Sequence, residues 1–180
     1  MKQLFLSFAP SAKWRNEKQS QNLKGEAWQK KRLLILNRDN YTCAYCGFRS
    51  EKYQIVDHID GDPENNSDKN FQIICQMCNL IKHSGMGCVI TGVVDLFMTS
   101  KYSQNDIMKI TREMRDKDSS DEEIQNHLGL NNKMDFKMDK DYLKSLFGFV
   151  TSRKSKEDTD MYNHWLEYRK KQRLVKNASL

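Results

Sequence analysis

Two Cys-x-x-Cys pairs, Cys43-Ala-Tyr-Cys46 and Cys75-Gln-Met-Cys78, constrain this chain more than any other feature. Each pair offers two sulfurs from one tight turn, and four thiolates suit zinc, which favours tetrahedral coordination. The two turns must therefore meet in space, with a strand-loop-strand excursion between them. Four thiolates leave zinc no open position, so this Zn²⁺ is structural and any chemistry occurs beside it. Asp57-His58 lies between the pairs and Asn79 follows the second pair directly. A clasp that only fastened a fold would not need these polar, proton-accepting side chains.

Five cysteines are also compatible with disulfides. The Met1–Pro10 run is too short and too weakly apolar for a signal peptide, and no stretch is long enough to span a membrane. That predicts a cytoplasmic setting without membrane contact, where paired Cys-x-x-Cys motifs favour zinc. Cys88, beside Val89 and Ile90, reads as a small core residue. With 180 residues, 38% of them hydrophobic, the chain can build a modest core that a metal staple would help.

The net charge of +6 suits a polyanionic partner, although a merely soluble basic protein carries it equally well. Residues 1–40 are rich in cations, among them Lys30, Lys31, Arg32 and Arg38, and the C-terminal segment repeats the bias with Arg169, Lys170, Lys171 and Arg173. Both groups are candidate phosphate contacts, and both could equally be solvated helix faces. Tyr41, Tyr45 and Tyr53 could be core or could stack on bases.

The periodicity predicts an irregular start over 1–23 with Trp14 as an anchor, then a helix over 25–39 carrying Trp28, Leu33, Ile35 and Leu36. A knuckle follows over 41–48, a strand over Tyr53–Ile59, a polar loop, a return strand from Asn70 to Ile74, the second knuckle, and a helix beginning at Cys78–Lys82. Beyond residue 88 the chain reads as helical. A capped helix is expected over 104–117, and a Ser120-to-Glu123 capping box opens another that Gly129 closes. Asp141–Phe149 and Asp160–Val175 are further helical candidates, and Asn131–Lys140 reads as a linker. The predicted class is α+β: a ββα unit over 25–88, preceded by a basic arm over 1–24 and followed by a mainly α-helical region over 89–180.

Cys43-x-x-Cys46, Val56-Asp57-His58-Ile59, Asn70-Phe-Gln-Ile-Ile-Cys75 and Cys78-Asn79-x-x-Lys82-His83 stand in an order and spacing similar to the HNH nucleases of the ββα-metal superfamily, in the branch with a four-cysteine zinc. The resemblance covers roughly residues 25–85. It implies a metal-dependent endonuclease that hydrolyses DNA phosphodiesters to 5′-phosphate and 3′-hydroxyl ends. It further implies that His58 is the general base and that Asp57 and Asn79 are ligands of one divalent cation, while Asn70 braces the loop or orients His58. Oxygen ligands of this kind suit Mg²⁺ or Mn²⁺.

His83 lies four residues after Asn79, on the same helical face, and is a candidate third ligand; Lys82-His83 could instead contact phosphate. Asn79 could alternatively cap the helix. Asp60, Asp62, Asn65 and Asn66 read as loop residues, and His127 and His164 as structural or surface residues. Cutting both strands would call for a homodimer or two sequential nicks. Restriction, phage or another defence role is the setting that family analogy suggests. Two rival readings stand beside this one: a non-catalytic zinc module that binds nucleic acid or a protein partner, and an RNA-directed nuclease.

Overall fold

The computed structural model describes residues 1–8, 25–84, 88–89 and 91–152. Helix α1 (Gly25–Arg38) leads into the first knuckle. Strands β1 (Gln54–His58) and β2 (Phe71–Cys75) form an antiparallel hairpin in which Asp57 pairs with Gln72 and His58 with Phe71. Helix α2 (Gln76–Lys82) follows without a break, with Cys75 as its N-cap residue. Asn79 is therefore inside the helix, and the expectation that it might cap the helix is corrected.

The hairpin is covered on both faces, and strand alternation sorts its residues. Val56, Phe71 and Ile73 face α1, where Ile35 and Leu36 close a small core flanked by Trp28 and Tyr41. Arg38 ties the C-terminal end of α1 to this hairpin by donating to the carbonyls of Asp68 (2.7 Å) and Phe71 (2.8 Å). Ile74 points the other way, into a larger core that also holds the four knuckle cysteines.

The larger core does not stop at the second knuckle. It takes in Leu4 and Leu6 from the N-terminus and Val94, Leu96, Ile107, Met108, Ile124, Leu143 and Phe149 from the C-terminal half. Strand β3 (Val94–Thr99) is the centre of an antiparallel sheet ordered β4-β3-β5, with β4 at Asn131–Met134 and β5 at Phe147–Val150. Helices α3 (Gln104–Arg115) and α4 (Asp121–Leu128) precede β4, and the short α5 (Lys140–Lys144) precedes β5.

The α+β class holds. The helical reading beyond residue 88 is corrected at Val94–Thr99 and Phe147–Val150, and the linker reading at Asn131–Met134: all three are strands. The apolar runs Val94-to-Met98 and Leu146-to-Val150 suit a buried strand as well as a buried helix, and periodicity cannot separate the two. Pairing with segments remote in sequence decides for strand. The capping box Ser120–Glu123 opens α4 and the left-handed Gly129 (φ +65°) closes it as expected, because those signals are local. The expected helix over 160–175, Trp14 and His164 lie outside the described residues.

The first eight residues are extended but well anchored. Lys2 N–H donates to Ala44 O (3.0 Å), and Asn105 of α3 receives the Leu4 N–H (2.8 Å) while donating to the carbonyls of Lys2 and Tyr45 (2.7 Å each). Gly148 of β5 is where this strap meets α2. A Cβ there would stand 2.7 Å from both Ile81 Cδ1 and Leu6 Cδ2, and those two side chains are fully buried. Gly148 also exchanges two hydrogen bonds with the buried Gln104 amide (2.7 and 2.8 Å), which fixes its backbone. Gly148→Ala is expected to destabilise the fold by about 1–3 kcal/mol through overpacking, seen as a lowered thermal midpoint.

Candidate active site and metal centre

The first knuckle closes by two backbone hydrogen bonds, Cys43 N–H to Phe48 O and Gly47 N–H to Cys43 O (3.0 Å each). Gly47 sits at φ +73°, a conformation glycine adopts without a Cβ penalty. The second pair straddles the junction of β2 and α2, which turns Cys75 and Cys78 to the same side. The four sulfurs lie within 4.8 Å of one another and all four residues are buried.

Cys46 Sγ and Cys75 Sγ are 3.7 Å apart. Two thiolates on a tetrahedral zinc with Zn–S bonds of about 2.3 Å should stand roughly 3.8 Å apart, so the cluster fits zinc in both donor type and spacing. Hydrogen bonds from Cys46, Cys75 and Cys78 hold the Cys43 thiol below its ordinary range, whereas sharing these contacts pushes Cys75 and Cys78 up. Four sulfurs this close cannot all ionise without a cation between them.

Zinc would fix the N-terminal end of α2, and α2 runs back along the hairpin. Its seven residues span about 10 Å, which carries its C-terminal end to the far end of β1. There Lys82 Nζ donates to Asp57 Oδ2 (2.5 Å) and to the His58 carbonyl (2.7 Å), and His83 Nε2 lies 3.1 Å from Asp57 Oδ1. Gln72, across the hairpin, donates its amide to Asp57 Oδ2 (2.9 Å). Burial pushes the Asp57 carboxyl up, but hydrogen bonds from His83, Lys82 and Gln72 outweigh it and hold the group below its ordinary value. Its contribution to stability is therefore present above the ordinary aspartate range and lost as pH falls through the depressed value.

His58 is 7% exposed, lies against Phe71 (ring centroids 4.7 Å apart) and meets Asn66 Oδ1 through Nε2 at 3.2 Å. The loop that delivers Asn66 is built on Asp60. That carboxylate accepts the Asp62 N–H (2.8 Å), the Asn70 amide (2.9 Å) and the Asn65 amide (2.7 Å), and these bonds lower its pKa to about 2. Asn70 also donates to Asn65 O (2.9 Å), so it contacts the loop and reaches His58 only through it.

Of the residues singled out from sequence, Asp57, Lys82 and His83 converge through their side chains; His58 joins them through its carbonyl, while its ring lies on the α1-facing side of the hairpin against Phe71. The Asn79 side chain makes no hydrogen bond among the described residues and lies one helical turn before His83. Lys82, read as a phosphate contact, is paired to Asp57. Gln72 and Asn66 were not singled out; Gln72 was legible only through the hairpin register, and Asn66 only through the loop.

The candidate phosphate contacts on α1 all have partners inside the fold. Lys30 pairs with Glu26 (2.7 Å), Lys31 with Asp68, Arg32 with the Gln54 carbonyl (3.0 Å) and Arg38 with Asp39 (2.7 Å). Arg169, Lys170, Lys171 and Arg173 lie outside the described residues. Tyr45 is buried, and Tyr53 is 84% exposed. No described helix is long and apolar enough to cross a membrane.

A hairpin and helix clasped by four cysteines, with an Asp-His pair at the hairpin's far end, define a ββα unit with a zinc-type thiolate knot. Residues 43–85 match the HNH endonuclease family, so this segment is HNH-type and points to nuclease chemistry. A 44-residue stretch is also 43% identical to the Type 4 apparatus protein DotN of Legionella pneumophila, covering 24% of this chain and 21% of that protein. The chain thus matches about a fifth of that relative's length.

Proposed function

We propose that this protein is a metal-dependent endonuclease that hydrolyses DNA phosphodiesters, with His58 as general base beside one divalent cation. The supporting observation is the 3.1 Å separation of Asp57 Oδ1 and His83 Nε2, at the end of the strand that carries His58. Two cis ligands about 2.1 Å from an octahedral cation should stand roughly 3.0 Å apart, so the spacing suits Mg²⁺ or Mn²⁺, the His83 imidazole tilting the choice toward Mn²⁺ or another transition metal, with Asn79 completing the set from the preceding turn. When bound, the cation would neutralise charge on the scissile phosphate and the leaving 3′ oxygen.

The residues divide the remaining work. Asn66 Nδ2 donates to Glu64 O (3.3 Å), which turns its Oδ1 toward His58 to accept the Nε2 proton. His58 Nδ1 is then unprotonated and can take a proton from water. The resulting hydroxide attacks phosphorus, the P–O3′ bond breaks, and the leaving O3′ takes a proton from solvent water, so the ends are 5′-phosphate and 3′-hydroxyl. Gln72 and Lys82 hold Asp57 in place. The reduced thiols that zinc needs suit a cytoplasmic setting.

A second reading, a zinc module that binds DNA or a protein without cleaving, has its own support. Lys82 already neutralises Asp57, both Asp57 oxygens are engaged, and His58 is nearly enclosed. The relative is named as an apparatus protein. Incubation with matched DNA and RNA under Mg²⁺, Mn²⁺ or no cation, followed by end mapping, separates the readings. Cation-dependent cuts in DNA with 5′-phosphate ends are expected; binding without cuts under every cation supports the module, and cuts confined to RNA change the substrate. Within the enzyme reading, Asn66→Ala is expected to lower the cleavage rate on the order of 10²-fold by releasing the His58 ring, with zinc content unchanged.

A further inference from the structure

Zinc with four thiolates carries a net charge of about −2, and burying such a charge is costly unless it is compensated. Among the described residues, Arg112 is the one charged side chain hydrogen-bonded to a knot sulfur: its Nη2 lies 3.4 Å from Cys75 Sγ. It comes from α3, outside the segment of HNH type. Its guanidinium lies over Phe48, with Cζ 3.6 Å from the ring centroid. Phe48 ends the first knuckle, so one side chain spans both: it stacks beside the first cysteine pair and donates to the second. Its Nε is buried without a hydrogen-bond partner among the described residues, so burying this cation carries a desolvation cost that the structure nevertheless accepts.

We infer that Arg112 is the counter-charge of the zinc knot, a positioning residue that slows zinc loss and makes retention of the metal depend on α3. Several features suit it to this role. A guanidinium stays protonated at any working pH, and its planar fork is held in place by the ring beneath it. An N–H donated to a thiolate stabilises the sulfur lone pairs, which lowers their nucleophilicity and their exposure to competing acids. Partners in the outer shell of a metal are worth about 10–100-fold in affinity. The inference rests on the zinc reading of the knot and is independent of nuclease chemistry.

The test uses the full chain. Zinc per chain is measured first, then the rate of release to a chromophoric chelator, then the sulfur-to-metal charge-transfer band after cobalt(II) replaces zinc. Arg112→Met is expected to release zinc about 10–100-fold faster and to move the band to lower energy. Arg112→Lys keeps a point charge but loses the planar fork over Phe48, and it should fall between Arg112→Met and the unmodified protein.

A purely structural Arg112 would lower the thermal midpoint and leave the band in place. Release at the unmodified rate with an unmoved band in both variants overturns the inference. Should Arg112→Met fail to fold in excess zinc, Arg112→Lys decides by the same two readouts. Unmodified protein that binds no zinc overturns the zinc reading of the knot, a result distinguishable from failure of Arg112 alone.

Discussion

His58→Ala is expected to reduce cation-dependent cleavage by about 10²–10⁴-fold, the usual contribution of a positioned general base. This corresponds to roughly 3–5 kcal/mol of transition-state stabilisation. The size of the effect follows from where the residue sits. His58 ends β1, its ring rests on Phe71, its carbonyl accepts from Lys82, and Asn66 engages Nε2. Alanine keeps the strand and its backbone hydrogen bonds but removes the imidazole that the proposed mechanism uses as base, and His83 would be engaged by the cation. His58→Gln keeps bulk against Phe71 and cannot accept the proton, so it should be nearly as inactive while melting closer to the unmodified protein. Single-turnover cleavage with Mg²⁺ or Mn²⁺ measures both, with circular dichroism and zinc content as controls. Full activity in His58→Gln would remove His58 from the mechanism.

Removing the zinc, by a strong chelator or by Cys78→Ser, is expected to unfold both halves of the described chain. Binding to a structural four-ligand site is worth about 10–16 kcal/mol at neutral pH, comparable with or larger than the whole stability of a domain. The four cysteines are not an appendage. They sit in one core with Leu4, Leu96, Ile107, Leu143 and Phe149, so loss of the knot exposes the three-stranded sheet as well as the hairpin. Near-ultraviolet circular dichroism should collapse on chelation and recover with added zinc. Because protons compete for the thiolates, the chelator concentration needed should fall as pH is lowered. A C-terminal half that keeps its tertiary signal without zinc would show that the shared core does not depend on the metal.

Much of the nuclease-like unit was legible in the sequence because its signals are local. The Cys-x-x-Cys spacing, the apolar stripe of α1, and the short strands around Val56 and Ile73 placed the helix, hairpin and knuckles within a residue or two of their observed bounds. Ser120, Glu123 and Gly129 did the same for α4. The C-terminal sheet was not legible. Leu96 meets Met134 on one side and Gly148 on the other, and nothing within a few residues of Val94 announces either partner.

The candidate site divides the same way. The sequence by itself determined that four thiolates would gather and that Asp57 and His58 would share a strand. Tertiary structure decided which groups meet them. The Asp57–Gln72 register, the length of α2 and the loop held by Asp60 bring Gln72, Lys82, His83 and Asn66 to the pair. It also decided that Arg112, far along the chain, would stand against the knot. The physical reason is that turns and metal clasps are specified by neighbours along the chain, whereas hydrogen bonds to a buried charge depend on packing, which assembles residues from any distance along it.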